Sequence, residues 1–275
     1  ENSVKSGIVT RGYTGKTHGV ILIHNGEGKR ELTGDEPLLL SCELPDVPVA
    51  VAKKRIDGVR ELKNLGVELV IADDAFQHKI LGRDVDIVLI DSICPFGNGK
   101  LLPSGIMREK ISALRRADIV VLTKSDLVDK SELDRLHETV KKYVRPEIIF
   151  TSRLELDSWI FHGTNEIRRK IFAFSAIGSP ESFKRSLQAE KFIITGNKIF
   201  TDHHKYSSSD LDEVKNLALS SGAEAVTCTE KDLYNFPENY EWPHEIPLII
   251  PRVKAVVNES EKFFALLIEC LRPKI

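Results

Sequence analysis

The sequence predicts an α/β protein: a mostly parallel sheet with helices on both faces, followed by a smaller C-terminal α/β part. Three observations predict it. Runs of Val, Ile and Leu end in polar residues, helical stripes lie between those runs, and one stretch breaks the rhythm. Continuous apolar runs suit strands covered on both faces. Their alternation with helices is the pattern that builds parallel sheets.

Taken in order, "HGVILIHNGEG" (18–28) is β-like, with a turn at Asn25-Gly26. "LLLSCEL" (38–44) reads as helix behind "GDEP" (34–37). In "RIDGVRELKNLG" (55–66), Ile56, Val59, Leu62 and Leu65 share one stripe, and Gly66 is a good stop. "VELVIADD" (67–74), "VDIVLID" (85–91), "ADIVVLTKSD" (117–126) and "EIIFTS" (147–152) read as strands. Between the last two, Ser131 with Asp134 three residues on predicts a capped helix start, and Leu133, Leu136, Val140 and Tyr143 form its inner face. "RLELDSWIFHGTNEIRR" (153–169) alternates apolar and polar residues around "HGTN", the pattern of a two-stranded ribbon with a turn. The boundary is placed there, giving parts 1–152, 153–169 and 170–275. Strands follow at 170–178, 225–232 and 246–251, with a helix over 209–219 opened by Ser209 and Asp212.

Composition narrows the function. Net charge is -2, from 39 basic and 41 acidic residues that are interspersed, so no nucleic-acid partner is expected. The four cysteines are far apart with no C-x-x-C pair, which argues against a disulfide framework or a zinc site. No apolar run approaches the roughly 20 residues that span a bilayer. The chain begins with Glu1 rather than Met, as a fragment would.

Ligands of open α/β sheets bind beyond the carboxyl ends of the strands. "LVIADD" delivers Asp73 and Asp74 to such an end. Apolar residues closing in acid are the pattern in which a carboxylate holds Mg²⁺, and the same acids could instead cap the next helix. Asp35 is either an N-cap, with Pro37 in the first turn, or a general base at a helix start. "FTDHHKYS" (200–207) brings Asp202, His203 and His204 into a short connection, as acid–base groups or as solvated side chains. "TKSD" (123–126) resembles a guanine-reading motif but has Thr where Asn is needed, so it also reads as a strand end and turn. Arg108, Arg115 and Arg116 could clamp an anion or lie on a solvated face. Gly15-Lys16-Thr17 looks like the end of a phosphate loop, G-x-x-x-x-G-K-[ST]. The first glycine would have to be Thr10, and a strand rather than a helix follows, so it reads as a turn.

In order, "TRGY" (10–13), "GDEPLLL" (34–40), "ADDAFQH" (72–78), "RDVDIVLID" (83–91), "GNGKLLPSGIMRE" (97–109), "LRRAD" (114–118), "DHH" (202–204) and "TEKD" (229–232) resemble one family, the tetraacyldisaccharide 4'-kinases of lipid A biosynthesis. The resemblance spans nearly the whole chain. It implies a P-loop-kinase fold with a nucleotide domain over 1–152, a two-stranded linker and a smaller C-terminal domain. It further implies transfer of the γ-phosphate of ATP, with Mg²⁺, to the 4'-hydroxyl of a tetraacylated glucosamine disaccharide 1-phosphate. The setting it implies is peripheral, on the cytoplasmic face of the inner membrane.

By the same resemblance Asp35 is the catalytic Asp, His203 the His that pairs with it, and Arg108 an arginine facing the transferring phosphoryl group. Asp73 and Asp74 handle Mg²⁺, and Gln77 and His78 line the nucleotide site. Two departures follow. Ala75 stands where the family has Gly, putting a Cβ where backbone passes close to ligand. The family's phosphate loop, with its first strand and helix, is expected to fall before Glu1, so the polypeptide as given is expected to have little kinase activity. The alternatives are a non-catalytic lipid- or nucleotide-binding homologue and a guanine-nucleotide switch built on "TKSD".

Overall fold

Residues 4–12, 19–28, 30–238 and 240–272 are described by a computed structural model, in which they divide into two compact units, 1–82 and 83–275. In the first unit, β1 (Ser6–Thr10) is flanked by two parallel strands, β3 (Val49–Ala52) and β4 (Leu69–Ala72). The edge strand β2 (Val20–Ile23) runs antiparallel to β3, giving the order β2-β3-β1-β4. Successive side chains of a strand point to opposite faces. Ile8, Ile23, Val49 and Val51 therefore build one core, reached by Leu40 of α2 (Asp35–Glu43), which follows the single turn α1 (Arg30–Thr33). Val9, Ala50 and Val67 build the other with Leu62 of α3 (Arg55–Asn64).

Gly12 of "TRGY" has φ +66°, and a Cβ there would lie 2.8 Å from the Thr33 carbonyl oxygen and 2.5 Å from Val51 Cγ1. Only glycine meets both conditions. The Gly15-Lys16-Thr17 look-alike lies outside the described residues.

The second unit is one seven-stranded sheet. Its strands are β5 (Ile87–Asp91), β6 (Ile119–Thr123), β7 (Ile149–His162), β8 (Lys170–Ser175), β9 (Ile193–Ile199), β10 (Ala225–Thr227) and β11 (Leu248–Val257), in the order β5-β6-β7-β11-β10-β8-β9. All neighbours are parallel except β7 and β11. Its helices are α4 (Lys130–Val140), α5 (Pro180–Ala189), α6 (Ser208–Ser220), the single turn α7 (Glu230–Leu233) and α8 (Ser260–Leu271). Leu136 and Val140 of α4 pack on Ile90, Val120 and Leu122. Leu211, Val214 and Ala218 of α6 pack on Phe172, Phe174 and Val226. Leu187 of α5 covers the opposite face with Ile171, Ala173 and Phe192.

Several expectations are corrected. No hairpin forms within 153–169: β7 runs unbroken to His162, and its antiparallel partner is β11, with Ile160 opposite Ile250. Alternation identifies a strand but not its partner, and here the partner is remote in sequence. The chain divides into its two compact units at 82/83. Asp129, not Ser131, precedes α4, and no side-chain cap forms there. Helix α6 is capped by Ser207 with Asp210, two residues before the expected pair. The strand expected over 225–232 stops at Thr227, because Thr229 and Asp232 form a capping box that opens α7. Strands β3 and β9 and helices α5 and α8 were not anticipated from the sequence.

Candidate active site

The carboxyl end of β4 carries the acidic pair. The Asp73 amide donates to the Val9 carbonyl at 2.9 Å, continuing the β1–β4 ladder one residue past the strand. The buried Thr10 hydroxyl donates to Asp73 Oδ2 at 3.1 Å and turns that carboxylate toward the end of β1. Arg55, the first residue of α3, is only 4% exposed; its Nη2 donates to the Asp73 carbonyl at 2.9 Å and the Asp74 carbonyl at 3.0 Å. Burying a guanidinium is costly unless it is hydrogen-bonded. Here it pins the main chain of both acids while their side chains stay exposed.

Asp74 has φ +46°, a left-handed conformation that Asp and Asn tolerate better than most residues. Ala75, buried, is not among the positive-φ residues, so its Cβ brings no backbone strain. A tight turn follows, with the His78 amide donating to the Ala75 carbonyl at 2.8 Å. It leaves Gln77 exposed and His78 half-buried.

Asp35 is the first residue of α2 rather than its cap. Gly34 holds the cap position, so the carboxylate sits in the first turn, where the helix dipole favours negative charge. It is 8% exposed. Asp73, Asp74, Gln77 and His78 thus share one strand tip, and Asp35 opens a helix of the same unit.

In the second unit Arg108 is exposed and follows a loop folded on itself. Asn98 donates to the Ser104 carbonyl at 2.8 Å and accepts from the Lys100 amide at 3.1 Å. A Cβ on Gly105 would fall 2.2 Å from both Asn98 Oδ1 and the Lys100 carbonyl, so this loop closes only around glycine. Arg116 pairs with Glu109, and Arg115 lies 5.5 Å over the Tyr143 ring, which gives both a local role. In "TKSD", Lys124 pairs with Asp91 at 2.6 Å and Ser125 donates to the Ser152 carbonyl at 3.1 Å, so the segment ties the ends of β5 and β6 to the fourth residue of β7.

The two histidines of "DHH" separate. His204 lies 3.1 Å from Asp210 Oδ2 and stacks on Phe200 at 4.9 Å, serving the start of α6. The Ser207 amide and hydroxyl, and then His204, hold the Asp210 carboxyl down to about 2. His203 is exposed, has φ +60°, and places Nε2 3.8 Å from Asp202 Oδ2.

Beneath this loop lies the residue expected to close the 225–232 strand. Asp232, fully buried, accepts from the Ala176 amide at 2.7 Å, the Tyr206 hydroxyl at 2.8 Å and both polar hydrogens of Thr229. Burial raises its carboxyl above the usual range, and these donors oppose the rise. Burial, then the Asp232 charge, raises the Tyr206 phenol and keeps it a neutral donor.

Among the described residues no three His, Cys, Asp or Glu side chains gather as a metal-ligand cluster. Mg²⁺ needs no such cluster, since one or two carboxylates with substrate phosphates hold it in phosphoryl-transfer sites. The exposed oxygens of Asp73 and Asp74 fit that hard, oxygen-seeking ion. No helix among the described residues is long and apolar enough to cross a membrane.

A sequence model described as LpxK, tetraacyldisaccharide-1-P 4'-kinase, matches residues 1–272. The chain is 31% identical over 252 residues to the tetraacyldisaccharide 4'-kinase of Halothermothrix orenii, covering 83% of this chain and 65% of that protein. The enzyme of the same name from Desulfotalea psychrophila is 30% identical over 269 residues, covering 94% of this chain and 76% of that one. The one from Syntrophotalea carbinolica is 37% identical over 232 residues, covering 82% and 63%. The chain thus spans roughly two thirds of the length of these relatives. Among solved structures, the "apo" form of LpxK from Aquifex aeolicus in complex with ATP superposes with a TM-score of 0.70 at 26% identity, over 97% of this chain and 79% of that one. With a match along almost its entire length and an α/β fold shared with that structure, this chain belongs to the tetraacyldisaccharide-1-P 4'-kinase family.

Proposed function

We propose that this chain carries the acceptor-side and metal-side groups of an ATP-dependent kinase. Its acceptor would be the 4'-hydroxyl of a tetraacylated glucosamine disaccharide 1-phosphate. The observation that carries the reading is the β4 tip: two acids whose main chain is fixed by buried Arg55 and whose first carboxylate is aimed by Thr10. Catalysis of phosphoryl transfer is mostly positioning and charge stabilisation, and a rigid acidic tip on an α/β sheet suits both.

In this reading Asp73 and Asp74 would hold Mg²⁺, which supplies charge neutralisation at the phosphate oxygens. Gln77 and His78 line the nucleotide side. Asp35 takes the proton of the attacking hydroxyl, and His203 has the family role of supporting that base. Arg108 meets the charge that develops on the transferring group. The lipid acceptor places the work at the cytoplasmic face of the inner membrane, with the protein peripheral to it.

The test is a radiolabelled-ATP assay on the product of the complete reading frame, with the disaccharide 1-phosphate in detergent micelles and Mg²⁺ varied. Label at the 4' position, lost with chelator and in D35A, supports the reading. Binding of ATP and lipid without transfer would instead identify a non-catalytic homologue. These 275 residues contain no G-x-x-x-x-G-K-[ST] segment, so alone they are expected to turn over slowly. Normal turnover by this polypeptide would sink that part.

A further inference from the structure

We infer that Asp232 is the positioning residue for His203, acting through Ala176 and Tyr206. The inference rests on the role proposed above for His203. The loop between β9 and α6 is held at both ends by one carboxylate. At its start the Phe200 amide donates to the Ser175 carbonyl at 2.9 Å, and the His203 amide donates to the Ala176 carbonyl at 3.1 Å. The amide of that same Ala176 donates to Asp232 Oδ1 at 2.7 Å. At its end the Tyr206 hydroxyl donates to Asp232 Oδ1 at 2.8 Å, and the Tyr206 amide donates to the Asn235 carbonyl at 3.1 Å.

The loop needs this support. His203 has φ +60°, a conformation that costs an L-residue free energy and persists only where the surroundings over-determine it. His203 is exposed, whereas Asp232 and Tyr206 are both buried. Tyr206 is wedged edge-on against Phe174 at 5.4 Å and Phe236 at 5.6 Å, so the phenol is a rigid strut between core and loop. The two oxygens of Asp232 divide the work. Oδ1 serves the loop, through Ala176 and Tyr206, and Oδ2 serves only the Thr229 cap of α7.

That division supplies the test. Y206F removes one donor from the loop side, and T229V removes one from the cap side. Both are expected to lower the thermal midpoint by similar amounts. Y206F should lower kcat roughly tenfold to hundredfold with KM for ATP unchanged, because a misplacement of about 1 Å at a reacting group costs on that order. T229V should keep kcat within about twofold while it unfolds earlier, since it strips only one helix cap. D232A removes both acceptor oxygens at once and should combine the kcat loss of Y206F with the earlier unfolding of T229V. In the H203A background, Y206F should cause no further loss of kcat, because groups acting as one unit are non-additive. Multiplicative losses in that double variant, or equal kcat for Y206F and T229V, overturn the inference. If H203A itself retains full kcat, the proposed role of His203 fails first.

Discussion

Arg55 donates from Nη2 to the main-chain carbonyl of Asp73 at 2.9 Å, and the same nitrogen reaches the carbonyl of Asp74 at 3.0 Å. The buried cation is spent on main-chain carbonyls rather than on the acids' carboxylates. It fixes where they start. R55M leaves both carbonyls without this donor and is expected to cost about 2–4 kcal/mol in urea unfolding. R55K keeps the charge but not the planar fork, and should recover less than half of that. In both variants the Mg²⁺ concentration needed for half-maximal transfer should rise. An unchanged Mg²⁺ requirement alongside the stability loss would reduce Arg55 to a structural role.

Asp74 separates backbone from side chain. At φ +46° glycine is more comfortable than any L-residue, so D74G is expected to match or exceed the parent thermal midpoint. D74A should lose about 1 kcal/mol. Both remove the carboxylate and should cut Mg²⁺-dependent turnover roughly a hundredfold or more. Equal activity in D74G would show that Asp74 is there for the turn alone.

The strands were legible where long apolar runs end in acid, as at β4 and β5. They were not where the run is short, as in "VAVA" of β3, or interrupted, as at Gly196 in β9. The partner of β7 could not be read because alternation is blind to pairing. Serine placement in "SSSD" failed for a similar reason: three serines can each cap a helix, and Asp210 at the third helical position settles on Ser207. At the site, Asp73 and Asp74 were legible from their place at a strand end. Arg55 was not, because an arginine opening an amphipathic helix reads as surface until the fold buries it. Asp232 looked like part of a strand tip, and only the end of β10 at Thr227 turns it inward as a cap.

The Ser207–Asp210 cap gives a signed pH dependence. The Asp210 carboxyl is held down to about 2 by Ser207 and His204, below an ordinary carboxylate near 3.9. A depressed folded value means the ionised form is favoured by folding. Its contribution is complete above about pH 4 and is lost as pH falls through about 2. D210A should lose about 1 kcal/mol at pH 7 and show a flatter stability profile between pH 4 and 2. An identical acid limb in parent and variant would refute this assignment.

Lys124 is engaged by Asp91 at 2.6 Å and sits at φ +55°, so "TKSD" is occupied with closing the strand ends rather than presented to a base. K124A should destabilise the protein by about 1 kcal/mol and leave nucleotide choice unchanged. In competition against labelled ATP, GTP should show no preference in either form. A marked preference for GTP that disappears in K124A would revive the guanine-switch reading.

The sharpest single test of the first unit is Gly12. Its φ of +66° already disfavours a side chain, and a Cβ would meet the Thr33 carbonyl oxygen at 2.8 Å, just before the Gly34 that opens α2. Backbone cannot move aside as a flexible side chain can. G12A therefore pushes on the segment that carries Asp35, and the cost is divided between strain and displacement. The expected loss is about 2–4 kcal/mol in denaturant midpoint, with kcat falling further than that loss of folded protein explains. Measuring kcat at saturating substrate and at a temperature where G12A is fully folded isolates the second effect. A folded G12A with parental kcat would show that the start of α2 does not follow the backbone at Gly12, and that Asp35 is positioned from elsewhere.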